Sequence, residues 1–296
     1  MKILVENGAD PFIQSNSNHS AVESNAEETL AYALEISTRY LDQLGINQAN
    51  VWGETALMMA AQGCRVGCVE LLLHAGADRD VRQENEQVAL HYAGLSDRAE
   101  LRRETVSLIC DRRNDPTAEL EIDAQDEDGR PPIFDFLDGG ECLMILRSHG
   151  ARLDLSDNTG NTVFHHACIQ GESKSLKRLL AMLDTDERNN IVQQSNDAGN
   201  TALIEALRHE NANCALVLLA SKDIDLGNMV GQEGWAAVHC AARMGDALLL
   251  KAVLMHPSFV RGMKTDDGKT ARVVAMEAGK WSGEVKQLLN AHNSVI

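Results

Sequence analysis

The chain has 296 residues and a formal net charge of -17, with 44% apolar residues but only 4% aromatic residues and five prolines. That balance argues against a sequence-independent nucleic-acid binder, which needs Lys and Arg to displace phosphate counterions, and against a single-stranded platform, which needs rings stacked over a basic groove. It fits a helical core packed from Leu, Ala, Val, Ile and Met, and it favours a basic partner, although excess Asp and Glu also keep an elongated surface soluble.

In chain order, KILVENGAD at 2–10 reads as the end of an apolar helix closed by a Gly-Ala-Asp turn, so the sequence opens inside a repeating unit. The stretch from Asp10 to Asp78 spans two periods, and NHSAV at 18–22 with a helical run over 27–44 supplies a degenerate unit between them. A five-residue box followed by a short helix then recurs: GETAL from Gly53, EQVAL from Glu86, GRPPI from Gly129, GNTVF from Gly160, GNTAL from Gly199, GWAAV from Gly234 and GKTAR from Gly268. The spacings are 33, 43, 31, 39, 35 and 34 residues. A second apolar helix follows each turn, as in CVELLLHAGAD, ECLMILRSHGARLD, SLKRLLAML, CALVLLASKDID and the closing VKQLLNAH. Insertions lengthen the connections between 105 and 122, including CDRRNDPTAELE, and from Asp184 through DTDERNNIVQQ; such segments run as loops on one face.

Each box position has a physical reason. Gly supplies the positive φ of a hairpin turn, Thr caps the first helix through its hydroxyl, and the following Leu or Val enters the core. Gly in the Gly-Ala-Asp turn ends the second helix in a left-handed conformation. Two helices of this size cannot bury their apolar faces alone, so neighbouring units must stack.

The box, the paired leucines and the closing Gly-Ala-Asp resemble the ankyrin repeat over nearly the whole chain. The resemblance implies an all-α solenoid of stacked helix-turn-helix units with short β-hairpin loops. It divides 1–296 into a leading half repeat at 1–10, a degenerate repeat at 11–46, and repeats at 47–79, 80–121, 122–154, 155–193, 194–227, 228–262 and 263–296. It also implies that His91, His165 and His239, at one box position, make local hydrogen bonds that tie each turn to its neighbour.

Little in the sequence reads as catalytic. Gly268-Lys269-Thr270 lacks the earlier Gly of a phosphate-cradling loop, since Met263 holds that position. The seven cysteines form no Cys-x-x-Cys pair and read as reduced core thiols, and no segment has the apolar length of a signal peptide or membrane span. The expectation is a monomeric, non-enzymatic interaction scaffold of the cytosol or nucleus, without cofactor or metal and without direct contact with nucleic acid or membrane. Its acidic concave groove would bind a basic peptide or protein segment. The alternative is a targeting domain of an enzyme; EQVALHYA, with Tyr92, resembles the methyl-lysine-reading repeats of euchromatic histone lysine methyltransferases, although Met59 stands where that family places an aromatic.

Binding positions are expected where the repeat leaves residues free, on the exposed face of each first helix and at the hairpin tips. These are Val51, Trp52 and Glu54; Glu127, Asp128 and Arg130; Asn158, Thr159 and Asn161; Asp197, Ala198 and Asn200; Gln232, Glu233 and Trp235; and Asp266, Asp267 and Lys269, with Tyr92 added from the methyl-lysine reading. Trp anchors bury a large area at low rotamer cost, and acidic tips steer basic segments inward.

Overall fold

The computed structural model describes residues 46–111, 120–138, 140–221 and 230–293. The half repeat expected at 1–10, all but the last residue of the degenerate repeat expected at 11–46, and the middle of the first insertion, 112–119, lie outside the described residues. The chain divides into two compact units at Arg152/Leu153.

The first unit contains α1 (Ala56–Gln62), α2 (Val66–His74), α3 (Ala89–Gly94), α4 (Ala99–Cys110), a 3-10 helix (Pro132–Phe136) and α5 (Glu141–Ser148). The first helices α1 and α3 and the 3-10 helix pack in one row, and the second helices α2, α4 and α5 in another. The second unit repeats this plan. Its first-helix row is α6 (Val163–Gln170), α9 (Ala202–Arg208), α11 (Ala237–Met244) and α13 (Ala271–Glu277). Its second-helix row is α7 (Ser173–Ala181), α10 (Ala212–Leu219), α12 (Ala247–Leu254) and α14 (Gly283–Asn293). Among the described residues there is no named strand; the hairpins close by isolated antiparallel bridges, such as Ser156 to Thr162 and Ser195 to Thr201.

Fully buried side chains fill the space between rows, including Leu57, Leu72, Leu90, Ile109 and Leu143 in the first unit and Phe164, Leu176, Leu203 and Leu249 in the second. Burying each Leu contributes about 2 kcal/mol, so the stacked rows rather than local propensity hold these six- to twelve-residue helices. All seven cysteines are buried and unbridged.

Three local outcomes refine the box. At GRPPI the expected short α-helix is instead a 3-10 helix, with Pro131 at its N-cap and Pro132 at its first position, where a proline's missing N–H costs no intrahelical bond. Thr55 and Thr201 cap as expected, their Oγ1 accepting from Met58 N and Ile204 N at 3.4 Å. Where the cap position is Val88 or Ala236, His91 and His239 act instead, each Nδ1 accepting the cap residue's own N–H at 3.2 Å. The insertion from Asp184 is ordered as α8 (Thr185–Ile191): Asp184 Oδ1 accepts from Glu187 N at 2.8 Å, and Arg188 donates to the Leu180 and Leu183 carbonyls. No helix among the described residues is long and apolar enough to cross a membrane.

Candidate interaction site at the hairpin tips

One polar side chain at the base of most hairpins builds the tip. Asn50, Asp126, Asp157 and Asn196 each turn Oδ1 onto the N–H groups two and four residues ahead, as Asp157 does with Thr159 and Asn161, both at 2.9 Å. Successive hairpins then join by backbone bonds: Glu127 N to Asn85 O at 2.9 Å, Asp197 N to Thr159 O at 3.0 Å, and Asp266 N to Glu233 O at 3.0 Å. Glycine is demanded twice over at Gly160 and Gly234, whose φ values are +75° and +73° and where a Cβ would meet the Asp197 and Asp266 backbone at 2.8 and 2.5 Å.

The tips are exposed, but not uniformly. Val51 and Trp52 are 76% and 47% exposed, and Glu127, Asp128, Asn158, Thr159, Asp197, Ala198, Gln232, Glu233, Asp266 and Asp267 also face solvent. Glu54, Arg130, Asn161, Trp235 and Lys269 are half-buried. Lys269 lies between Asp267 and Glu277 at 3.0 and 2.9 Å.

Two expected contact residues are not at the surface. Asn200 is 2% exposed; its amide donates to Glu205 Oε1 at 2.8 Å and its Oδ1 accepts from Gln232 N at 3.0 Å. Tyr92 is 5% exposed and its hydroxyl donates to Glu54 Oε1 at 2.9 Å. Burial first, then that hydrogen bond and the Glu54 charge, raise the Tyr92 pKa.

Sequence reading missed a row of polar groups at one box position, directly after the histidine slot: Tyr92, Asp135, His166 and Glu205. Each clasps a hairpin. Asp135 Oδ1 meets Arg130 Nη2 at 3.2 Å, His166 Nε2 meets Asp157 Oδ2 at 2.7 Å, and Glu205 Oε1 takes the amides of both Asn196 and Asn200. Asn196 Nδ2 also reaches Asn161 Oδ1 at 2.8 Å, so two hairpins share one network. The available signal was the recurrence of polar residues in a slot that Met59, Cys240 and Val274 fill elsewhere.

The electrostatics follow from burial. Desolvation pushes the Asp135 carboxyl up to about 7 despite Arg130. Burial also acts to raise Asp157, but hydrogen bonds from His166, Thr159 and Asn161 outweigh it and hold that carboxyl below its usual range. His91, His165 and His239 are held below the usual imidazole range by desolvation. In each, Nδ1 faces an N–H of its own turn and Nε2 a carbonyl of the following hairpin: Arg130 and Asn200 at 3.0 Å and Met263 at 3.2 Å. Those partners select the neutral Nε2–H tautomer. The resemblance anticipated this tie between turns.

A protein-family model for ankyrin repeats matches residues 18–119 and 139–229, more than half of the chain. The chain belongs to the ankyrin-repeat family. Its fold is similar to the ankyrin repeat domain of Bcl-3, an IkappaB family member, with TM-score 0.59 and 18% identity over 91% of this chain and 96% of that one. Among curated proteins it is 28% identical to the Gallus gallus nuclear factor NF-kappa-B p105 subunit over 42% of this chain and 12% of that protein. It is 28% identical to Caenorhabditis elegans glp-1 over 65% and 15%, and 24% identical to the Drosophila melanogaster NF-kappa-B inhibitor cactus over 45% and 24%. The chain thus spans less than a quarter of these relatives' lengths. Ankyrin repeats are in general protein-interaction modules, and α11 to α14 extend the repeat beyond the segment the family model matches.

Proposed function

We propose that this chain is a non-catalytic protein-interaction scaffold whose hairpin tips receive a basic peptide or protein segment. The observation that carries the reading is the outward presentation of carboxylates on pre-formed turns: Glu127 and Asp128 in the first unit, and Asp197, Glu233, Asp266 and Asp267 in the second. Because side-chain and backbone hydrogen bonds already order these turns, binding loses little further entropy. Val51 and Trp52 add an exposed apolar anchor at the first described tip. The relatives, one of them an inhibitor of NF-kappa-B by name, support a protein as partner. The protein acts as a monomer in the cytosol or nucleus, a setting that suits seven buried, unbridged thiols. The buried Tyr92 ring and its occupied hydroxyl weigh against a methyl-lysine cage at that repeat.

The test is anisotropy titration of a fluorescein-labelled lysine-rich peptide with the native chain and with the triple variant Trp52→Ala, Glu127→Lys, Asp128→Lys. The variant should bind about tenfold more weakly or worse at low salt, with an unchanged circular dichroism spectrum. Equal affinity for both proteins would sink the reading.

A further inference from the structure

In the second unit, the first-helix row ends in charge of the opposite sign. Arg208 is the last residue of α9 and Arg243 the penultimate residue of α11, two helices that pack side by side. The arginines are one repeat apart in sequence and leave neighbouring helix ends, whose axes lie about 8–10 Å apart. Both are exposed. Both charges act on the buried Cys240 thiol from one side of the balance: desolvation pushes it up to about 11, and Arg243 and Arg208 oppose that rise.

Arg243 is also held in place. Its Cζ lies 5.4 Å from the centroid of the half-buried Trp235 ring, which in turn meets His239 edge-on with centroids 6.3 Å apart and an interplanar angle of 70°. His239 is fully buried and bonded at both ring nitrogens, so the platform under Arg243 is fixed by the repeat itself. A cation over a ring face is held by the ring quadrupole, and the guanidinium N–H groups turned away from the ring stay available to an acceptor.

Carboxylates in this row are already engaged. Glu205 holds Asn196, Asn200 and His209, while Asp267 and Glu277 hold Lys269. Among the described residues, no carboxylate lies within ion-pair distance of either arginine. Helix dipoles favour a cation in the last turn, which accounts for one charge at each helix end but not for the aromatic platform.

We propose that Arg208 and Arg243 form a docking site for an acidic segment of a protein partner, with Trp235 as the platform that pre-orders Arg243. Charge complementarity selects the occupant. A peptide in polyproline II conformation advances about 3.1 Å per residue with three residues per turn, so two carboxylates three residues apart lie on one face about 9 Å apart and match the helix spacing. Within a chain of net charge -17 the attraction is local, reaching about 8–10 Å at ordinary ionic strength. The site goes beyond the tip reading, because it takes the opposite charge on a different set of residues.

The test is an NMR titration of the ¹⁵N-labelled full chain with the capped peptide Gly-Glu-Gly-Gly-Glu-Gly, following the Trp235 indole N–H and the Nε–H resonances of Arg208 and Arg243. These signals should move saturably, and the Gln-for-Glu peptide should bind at least about fivefold more weakly. Arg208→Gln, Arg243→Gln and Arg243→Lys should each weaken binding about threefold or more, the last because an ammonium lacks the planar fork. The tip variant Trp52→Ala, Glu127→Lys, Asp128→Lys should bind this peptide as the native chain does, so the two proposals fail separately. Equal binding of both peptides, or unchanged affinity in an Arg208→Gln, Arg243→Gln double variant with a native backbone spectrum, would overturn the site. Inorganic phosphate moving the same resonances as strongly as the peptide would reduce it to a general anion site and overturn the acidic segment.

Discussion

The two units solve the same packing problem with different completeness. In the first, Asp135 is nine-tenths covered and meets Arg130 through one oxygen, while its Oδ2 and the Arg130 Nε are buried without a partner among the described residues. In the second, Glu205 at the same box position is 6% exposed, and its oxygens are matched by two asparagine amides and His209. A buried carboxylate is thus tolerable or costly according to how many of its lone pairs are met, not how deep it lies. The contrast reappears as titration: Asp135 is pushed up to about 7, whereas Asp157, with three partners, is held low.

The comparison breaks most visibly at Glu205. Glu205→Leu orphans the Asn196 and Asn200 amides and should destabilise the second unit by on the order of 3 kcal/mol, read as a lower urea midpoint in Trp235 and Trp281 fluorescence. A change within about 0.5 kcal/mol would mean the network is ornamental. Next in size is the pH response of Asp135. Its folded pKa of about 7 exceeds the ordinary 3.8, so its contribution is whole below pH 4 and is lost as pH rises through 7. Histidines 91, 165 and 239 have the opposite sign: their folded pKa values are lowered from 6.5, so their contribution is present above that value and is lost as pH falls. Hydrogen exchange of α3 amides in native and Asp135→Asn proteins should therefore diverge between pH 4 and 7 and run parallel above pH 8; parallel curves throughout would rule the assignment out. The smallest effect sharpens the picture of the tips. Glu86 occupies a glycine slot at φ +62°, and its ion pair with Arg82 is exposed. Glu86→Gly should raise stability by about 0.5–1 kcal/mol, and a thermal midpoint that falls instead would show that Glu86 supports the turn.

Much of the fold was legible in the sequence because left-handed turns and apolar helix faces impose residue types at fixed spacing. Gly53, Gly129, Gly160, Gly199, Gly234 and Gly268 all have positive φ, and the helices begin where the boxes place them. The site was read less well, since register along a tip does not decide the direction of a side chain. Asn200 turns inward because Glu205 waits beneath it, and Glu205 looks like a solvent-facing residue in TALIEAL until the hairpin folds Asn196 and Asn200 onto it, with Asn161 of the preceding hairpin joined through Asn196. Trp235 looked like a free anchor, but Arg243 covers one face from eight residues away, across a helix whose path the box alone does not give.

The imidazole ties carry a consequence for how the protein is made. Each ring holds the start of its own helix with one nitrogen but needs, for the other, a carbonyl that is translated later: 39 residues later for His91, 35 for His165 and 24 for His239. At about 5–20 residues per second of synthesis, each turn waits roughly 1–8 s on the ribosome with a buried-type donor still wet. Along these three ties assembly is therefore vectorial, each of the three turns being locked by the hairpin that follows it, and the nascent chain stays longest open-ended behind His91.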